Sequence, residues 1–106
     1  MTTTTVHMDT TSDRANVGWI RRTETDEDVE TAPITVAEAV KISGDRDRIL
    51  RETAETIDGL RLQEQVRADE IETDFEGEQL ADERERLAAW RESTDTLVEE
   101  LAEASR

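Results

Sequence analysis

Apolar residues recur along the chain in several rhythms, and each rhythm predicts an element. From Leu80 onward the steps alternate between three and four: Leu80, Glu83, Leu87, Trp90, Thr94, Leu97, Leu101 and Ala104, six of the eight apolar. That is a heptad-like seam and predicts a helix over 78–104. Ser93-Thr94-Asp95-Thr96 is its weak point, because Thr96 and Glu99 form a second capping box at which the helix is expected to bend or restart. Before it, Ile49, Leu60 and Ile71 stand eleven residues apart, with Leu50, Ile57, Val66, Ala68 and Phe75 between or beyond them. A spacing of ~3.67 residues per turn predicts a long helix over 46–75 that associates straight or slightly right-handed. Gly59 interrupts it and marks either a break or a close contact. A shorter helix is expected over 36–42: Thr35 and Glu38 form a capping box, Gly44 suits a left-handed C-terminal stop, and Asp45 can cap the next helix. Gly77 beside Phe75 favours a fold-back of the two long helices into an antiparallel hairpin over one continuous rod.

The N-terminal third lacks such periods. Residues 1–16 are polar and Thr-rich and are expected to be disordered unless something outside them holds them. Val17-Gly18-Trp19-Ile20-Arg21-Arg22 reads as a short strand or extended arm. On such an arm Trp19 is either an anchor in a partner's pocket or a lid on the chain's own helices. Residues 23–32 read as an acidic linker, and Asp26-x-Asp28-x-Glu30 lacks the glycine and the terminal glutamate of a calcium loop. The expected fold is therefore mainly α, with an extended arm over 1–32 and a helical region over 33–106.

Composition changes the picture next. The chain has 106 residues, of which 34 % are hydrophobic and 39 % charged, so a large self-sufficient core is excluded. With no Cys there is no disulfide framework, and no apolar run approaches the ~20 residues of a membrane span. No hydrophobic signal region follows Met1, so secretion by a signal peptide is not expected. Net charge is −15, from 28 acidic and 13 basic residues, and twelve of the basic residues are Arg against the single Lys41. With its 15 Thr, this composition resembles that of proteins from salt-in halophilic archaea and their viruses. At molar salt the Debye length falls to ~3 Å, so a dense carboxylate surface no longer repels itself and keeps the protein soluble.

Catalytic chemistry is sparse. His7 is the only His, no Cys-based or Ser-His-Asp constellation is available, and four scattered glycines make no phosphate loop. No enzyme, cofactor, metal site or small-molecule substrate is expected. An apolar stripe on a long helix must be covered, and without disulfides or metal the expected cover is another polypeptide. The leading expectation is thus a structural or assembly protein, cytoplasmic or in a virion (by analogy a capsid, neck or tail component). Its contacts with itself or a larger assembly would run through Leu80, Leu87, Trp90, Leu97 and Leu101 on the seam and Trp19 and Ile20 on the arm. A coiled-coil adaptor or chaperone-like partner is a further alternative.

Residues 33–62, PITVAEAVKISGDRDRILRETAETIDGLRL, carry a different possibility. They resemble the helix-turn-helix of winged-helix regulators, with Thr35, Glu38 and Ala39 on the first helix and Gly44 in the turn. The resemblance implies DNA binding by Arg46, Arg48 and Arg51 on the recognition helix, with Gly59 and Leu60 preceding a wing. The segment departs from that pattern in having no helix before Thr35 and no strand-turn-strand after Leu60, and Asp45, Asp47, Glu52 and Glu55 oppose phosphates on the same face.

Overall fold

A computed structural model describes residues 1–10 and 17–106. Three strands, β1 (Thr3–Asp9), β2 (Gly18–Glu24) and β3 (Val29–Ile34), precede three helices, α1 (Val36–Ser43), α2 (Arg46–Asp74) and α3 (Gly77–Ala104). The fold is mainly helical, as the periodicity predicts. The expected extended arm is instead a three-stranded antiparallel sheet in the order β1-β2-β3. Residues 3–9, expected to be disordered, pair with β2, and the expected acidic linker supplies a turn over Thr25–Asp28 and most of β3. The rest of the expected leader, residues 11–16, lies outside the described residues.

The register shows why a weakly apolar segment becomes a strand. Directly opposed residues share a face of an antiparallel sheet. Met8, Trp19 and Ile34 therefore form one inward row, while His7, Ile20 and Pro33 form the adjacent row on the other face. Val6, Met8 and Ile34 add partly buried apolar surface around Trp19, which is 1 % exposed. Each outer strand brings too little apolar surface to stand alone, and β2 supplies the rest from across the ladder.

The helices end where their sequence signals place them. The Thr35 hydroxyl accepts from the Glu38 N–H at 3.2 Å and the Glu38 carboxylate accepts from the Thr35 N–H at 3.2 Å, completing the capping box. Gly44 takes φ 69°, in the region glycine tolerates best, and its N–H closes on the Val40 carbonyl. The Asp45 carboxylate then caps α2 through the Arg48 N–H. At the far end Gly77, at φ 61°, reverses the chain, so α2 and α3 form the hairpin rather than the rod. Two expected interruptions are absent. Gly59 lies within an unbroken α2, and its open side meets nothing within 4 Å. Ser93–Thr96 lies within an unbroken α3, where Thr94 and Thr96 turn their hydroxyls back onto the Trp90 and Glu92 carbonyls.

Each long helix covers the other's stripe. The α3 face is the heptad series from Leu80 to Ala104, with Leu87, Trp90, Thr94 and Leu97 buried. The α2 face is Ile49, Thr53, Ile57, Leu60, Glu64, Ala68, Ile71 and Phe75, in steps of four, four and three. Heptads favour a left-handed wrap and eleven-residue repeats a right-handed one, so the two tendencies oppose each other. The molecule measures 54 × 36 × 15 Å.

Candidate functional site

The two ends of the hairpin are built from different chemistry. At the base, the sheet and α1 press on α2 and α3. The Trp19 indole N–H donates to Thr53 Oγ1 at 2.9 Å, and that hydroxyl donates to the Ile49 carbonyl at 2.6 Å. A buried threonine in mid-helix is thereby satisfied twice, and the indole is fixed in orientation. Two long-range bonds fasten the sheet end to α3: the Val17 N–H donates to Ser93 Oγ and the Val36 N–H to Glu100 Oε1, each at 3.1 Å. Beside them opens a groove of about 540 Å³, with Ile20, Pro33 and Ile34 on one side and Ala89, Glu92 and Thr96 on the other. Burial pushes the Glu100 carboxyl above the ordinary carboxylate range. The Val36 N–H opposes that shift, and the charges of Glu38 and Glu103 add to it.

Toward the tip, charge takes over from apolar contact. Glu64 occupies a stripe position and is 3 % exposed, held by Arg61 at 3.1 Å, and Arg61 also reaches across to Asp95 on α3. Both carboxylates hold the Arg61 guanidinium above its ordinary pKa, with the Asp95 bond contributing more than the Glu64 bond. Glu83, the one charged seam position of α3, receives Arg67 at 3.0 Å and Arg86 at 2.8 Å. Arg67 also pairs with Glu70 and lies 5.6 Å from the centre of the Phe75 ring. Arg84 grips Glu72 through both Nε and Nη2, each at 2.8 Å, a two-pronged bridge between the helices.

The expected contact residues are thus found in three settings. Leu87, Trp90 and Leu97 are buried under α2, and Leu80 and Leu101 are half-buried beside them. The stripe that was expected to need a second polypeptide is covered by the chain's own helix, because the 28-residue α3 returns along the full length of the 29-residue α2. Trp19 is not an anchor held out for a partner. It is the lid on the chain's own helices. Ile20 lies on the opposite face of β2, half-buried at the groove.

Arg46, Arg48 and Arg51 are exposed on the first turns of α2. Arg46 donates to the Ala104 carbonyl at the C-terminus of α3, and Arg48 sits 3.8 Å from Asp45 and 3.7 Å from Glu52. No wing follows Leu60, which is buried inside α2. Among the described residues no group of His, Asp or Glu is placed to hold a metal ion, and no helix is long and apolar enough to cross a membrane.

Sequence reasoning missed the groove because β3 was hidden in the acidic linker. It also counted Val66 in the apolar rhythm of α2, whereas Val66 and Leu62, one turn apart, lie on the outside of that helix and are 52 % and 64 % exposed. Their spacing was visible in the sequence, but only the packed stripe shows which side of α2 is left bare. No protein-family model, characterised protein or solved structure matches this chain.

Proposed function

We propose that the chain is a non-enzymatic assembly protein of a salt-in halophile or its virus, working through protein–protein contacts. The observation that carries this reading is the bare side of the hairpin. α2 is about 43 Å long at 1.5 Å per residue, and the solvent side of its middle turns presents Leu62 and Val66 rather than the carboxylates that cover most of the surface. Molar salt strengthens apolar association while it screens the −15 charge, so such a pair gains adhesive strength under the conditions its composition suits.

Sedimentation in about 3 M KCl tests the reading. Particles heavier than one 12.0 kDa chain are expected, and Leu62→Asp with Val66→Asp should shrink them without loss of helicity. A chain that sediments at 12.0 kDa at every concentration overturns it. Helicity should also rise between about 0.1 M and 3 M KCl as carboxylate repulsion is screened.

DNA binding remains the second reading. It draws support from the α1–Gly44–α2 turn and from Arg51, which is exposed and forms no ion pair among the described residues. Against it, Arg46 and Arg48 are engaged within the chain. Replacing Arg46, Arg48 and Arg51 by Ala should abolish retention on DNA, and no retention of the wild type at any salt removes this reading.

A further inference from the structure

The two free edges of the sheet differ. β3 carries Pro33, which has no N–H to offer, and Glu30, two devices that discourage pairing with another strand. β1 carries neither. Its sequence is Thr-Thr-Thr-Val-His-Met-Asp, with no carboxylate before its last residue, no proline and no lysine. Thr3, Thr4, Thr5 and His7 are exposed, and among the described residues no strand lies on the side of β1 away from β2.

We propose that β1 is a dimerisation edge that pairs antiparallel with β1 of a second copy, joining two three-stranded sheets into one of six strands. The inference rests on the assembly reading and names its partner and mode of contact. Charge decides the occupant. Two chains of −15 each repel over most of their surfaces. In a register centred on Val6, Val6 faces Val6 of the second copy, Thr4 faces Met8, Thr5 faces His7 and Thr3 faces Asp9. All seven residues of each strand pair, and no carboxylate faces a carboxylate. Behind them, Arg21 and Arg22 of β2 stand across from Val6 and Thr5, so the middle of the edge is backed by positive charge. The arginines of the two copies are three strand spacings apart, about 14 Å, well beyond the ~3 Å screening length of molar salt. The same register sets Val6, partly buried against the inner core, directly opposite its counterpart, with Met8 of each strand diagonal to Val6 of the other on the same face, so a small apolar cluster forms at the two-fold axis. A foreign strand would need a matching neutral face, whereas the second copy supplies one by symmetry.

The chain has no cysteine, so single introduced thiols report the contact cleanly. Residues opposed across an antiparallel pair stand about 4.5–5.5 Å apart at Cα, within reach of a disulfide. The full-length Val6→Cys variant, mildly oxidised in about 3 M KCl, is expected to form a covalent dimer. Thr31→Cys, exposed on β3, is expected to stay monomeric. In the cysteine-free chain, Thr5→Lys places a charge beside Arg22 and opposite His7 of the second copy. It should weaken the dimer at least about tenfold with an unchanged helical spectrum.

Cross-linking of Val6→Cys no greater than that of Thr31→Cys overturns the proposal, as does a dimer indifferent to Thr5→Lys. If heavier particles form but cross-link through Leu62→Cys and not Val6→Cys, the edge proposal falls and the assembly reading stands. If Val6→Cys cross-links and the mass is insensitive to Leu62→Asp with Val66→Asp, the edge stands and the hairpin surface is discarded.

Discussion

The base and the tip of the hairpin use the same two helices and hold them together in opposite ways. At the base, Trp19, Val36, Ala39, Ile49 and Leu97 are buried together where the sheet and α1 meet the two long helices, and Leu60 and Trp90 are buried midway along the hairpin. Toward the tip, Ile71 and Leu87 are the buried apolar side chains among the described residues, and the flanks are closed by Arg67–Glu83 and Arg84–Glu72. Apolar burial contributes about 1.5–3 kcal/mol per large side chain, while an exposed ion pair contributes about 0–1 kcal/mol and less in brine. A chain with 28 carboxylates and only 34 % hydrophobic residues concentrates its core where three elements converge and spans the remainder with arginine. The base is therefore expected to set the global stability and the tip to open first.

Trp19→Ala should break this division most severely. It removes the indole that fills the base and leaves Thr53 without its donor, for an expected loss of about 3–5 kcal/mol in urea unfolding. A loss below about 1 kcal/mol would place the centre of stability elsewhere.

The sharper comparison is Ile49→Ala against Ile71→Ala, since both side chains are essentially inaccessible. The base variant should cost about 2–5 kcal/mol in global stability. The tip variant should cost less and should speed amide exchange around residues 64–87 without speeding it around 49–57. Equal costs would show that the hairpin unfolds as one unit.

Arg61→Ala leaves Glu64 buried without its cation, for an expected loss of about 1–3 kcal/mol. Glu64→Gln in the same background should recover part of that loss, because a neutral amide tolerates the site better.

Gly59→Ala should stabilise the chain by about 0.5–1 kcal/mol, because the position is helical and its open side meets nothing. Destabilisation there would mean that some partner approaches the glycine closely.

The smallest effect concerns Glu100. Its carboxyl is shifted upward by burial, so the folded chain holds that proton more tightly than the unfolded chain does. The contribution is favourable in acid and is lost as pH rises through the folded value. Glu100→Gln keeps an acceptor for the Val36 N–H. It should therefore melt higher than wild type at neutral pH, and the gap should close as pH falls toward and below the ordinary carboxylate range. A gap independent of pH would refute this origin.

Much of the helical region was legible because its signals are local. Thr35 with Glu38, Gly44, Asp45 and Gly77 act within a turn of their own position, and the observed helices Val36–Ser43, Arg46–Asp74 and Gly77–Ala104 fall within a residue or so of where they point. Ser93–Thr96 misled for the same reason: a capping signal competes with helix continuation, and Ser93 is drawn instead into a bond with Val17, 76 residues away. The outer strands were illegible because their cause is distant. β1 offers only Val6 and Met8 to the core, and both are covered through residues on β2 and α1. Likewise Trp19 read as an anchor or a lid until Thr53 supplied the partner for its indole.

Trp19 lies at the base of this body, Trp90 lies midway along α3, and the tip holds only Phe75. Intrinsic fluorescence therefore watches the base and the middle but not the tip, whereas circular dichroism counts every turn of both rods. If the tip loosens before the base, the two signals will trace separate transitions on heating, and their separation will measure how far the far end melts ahead of the near one.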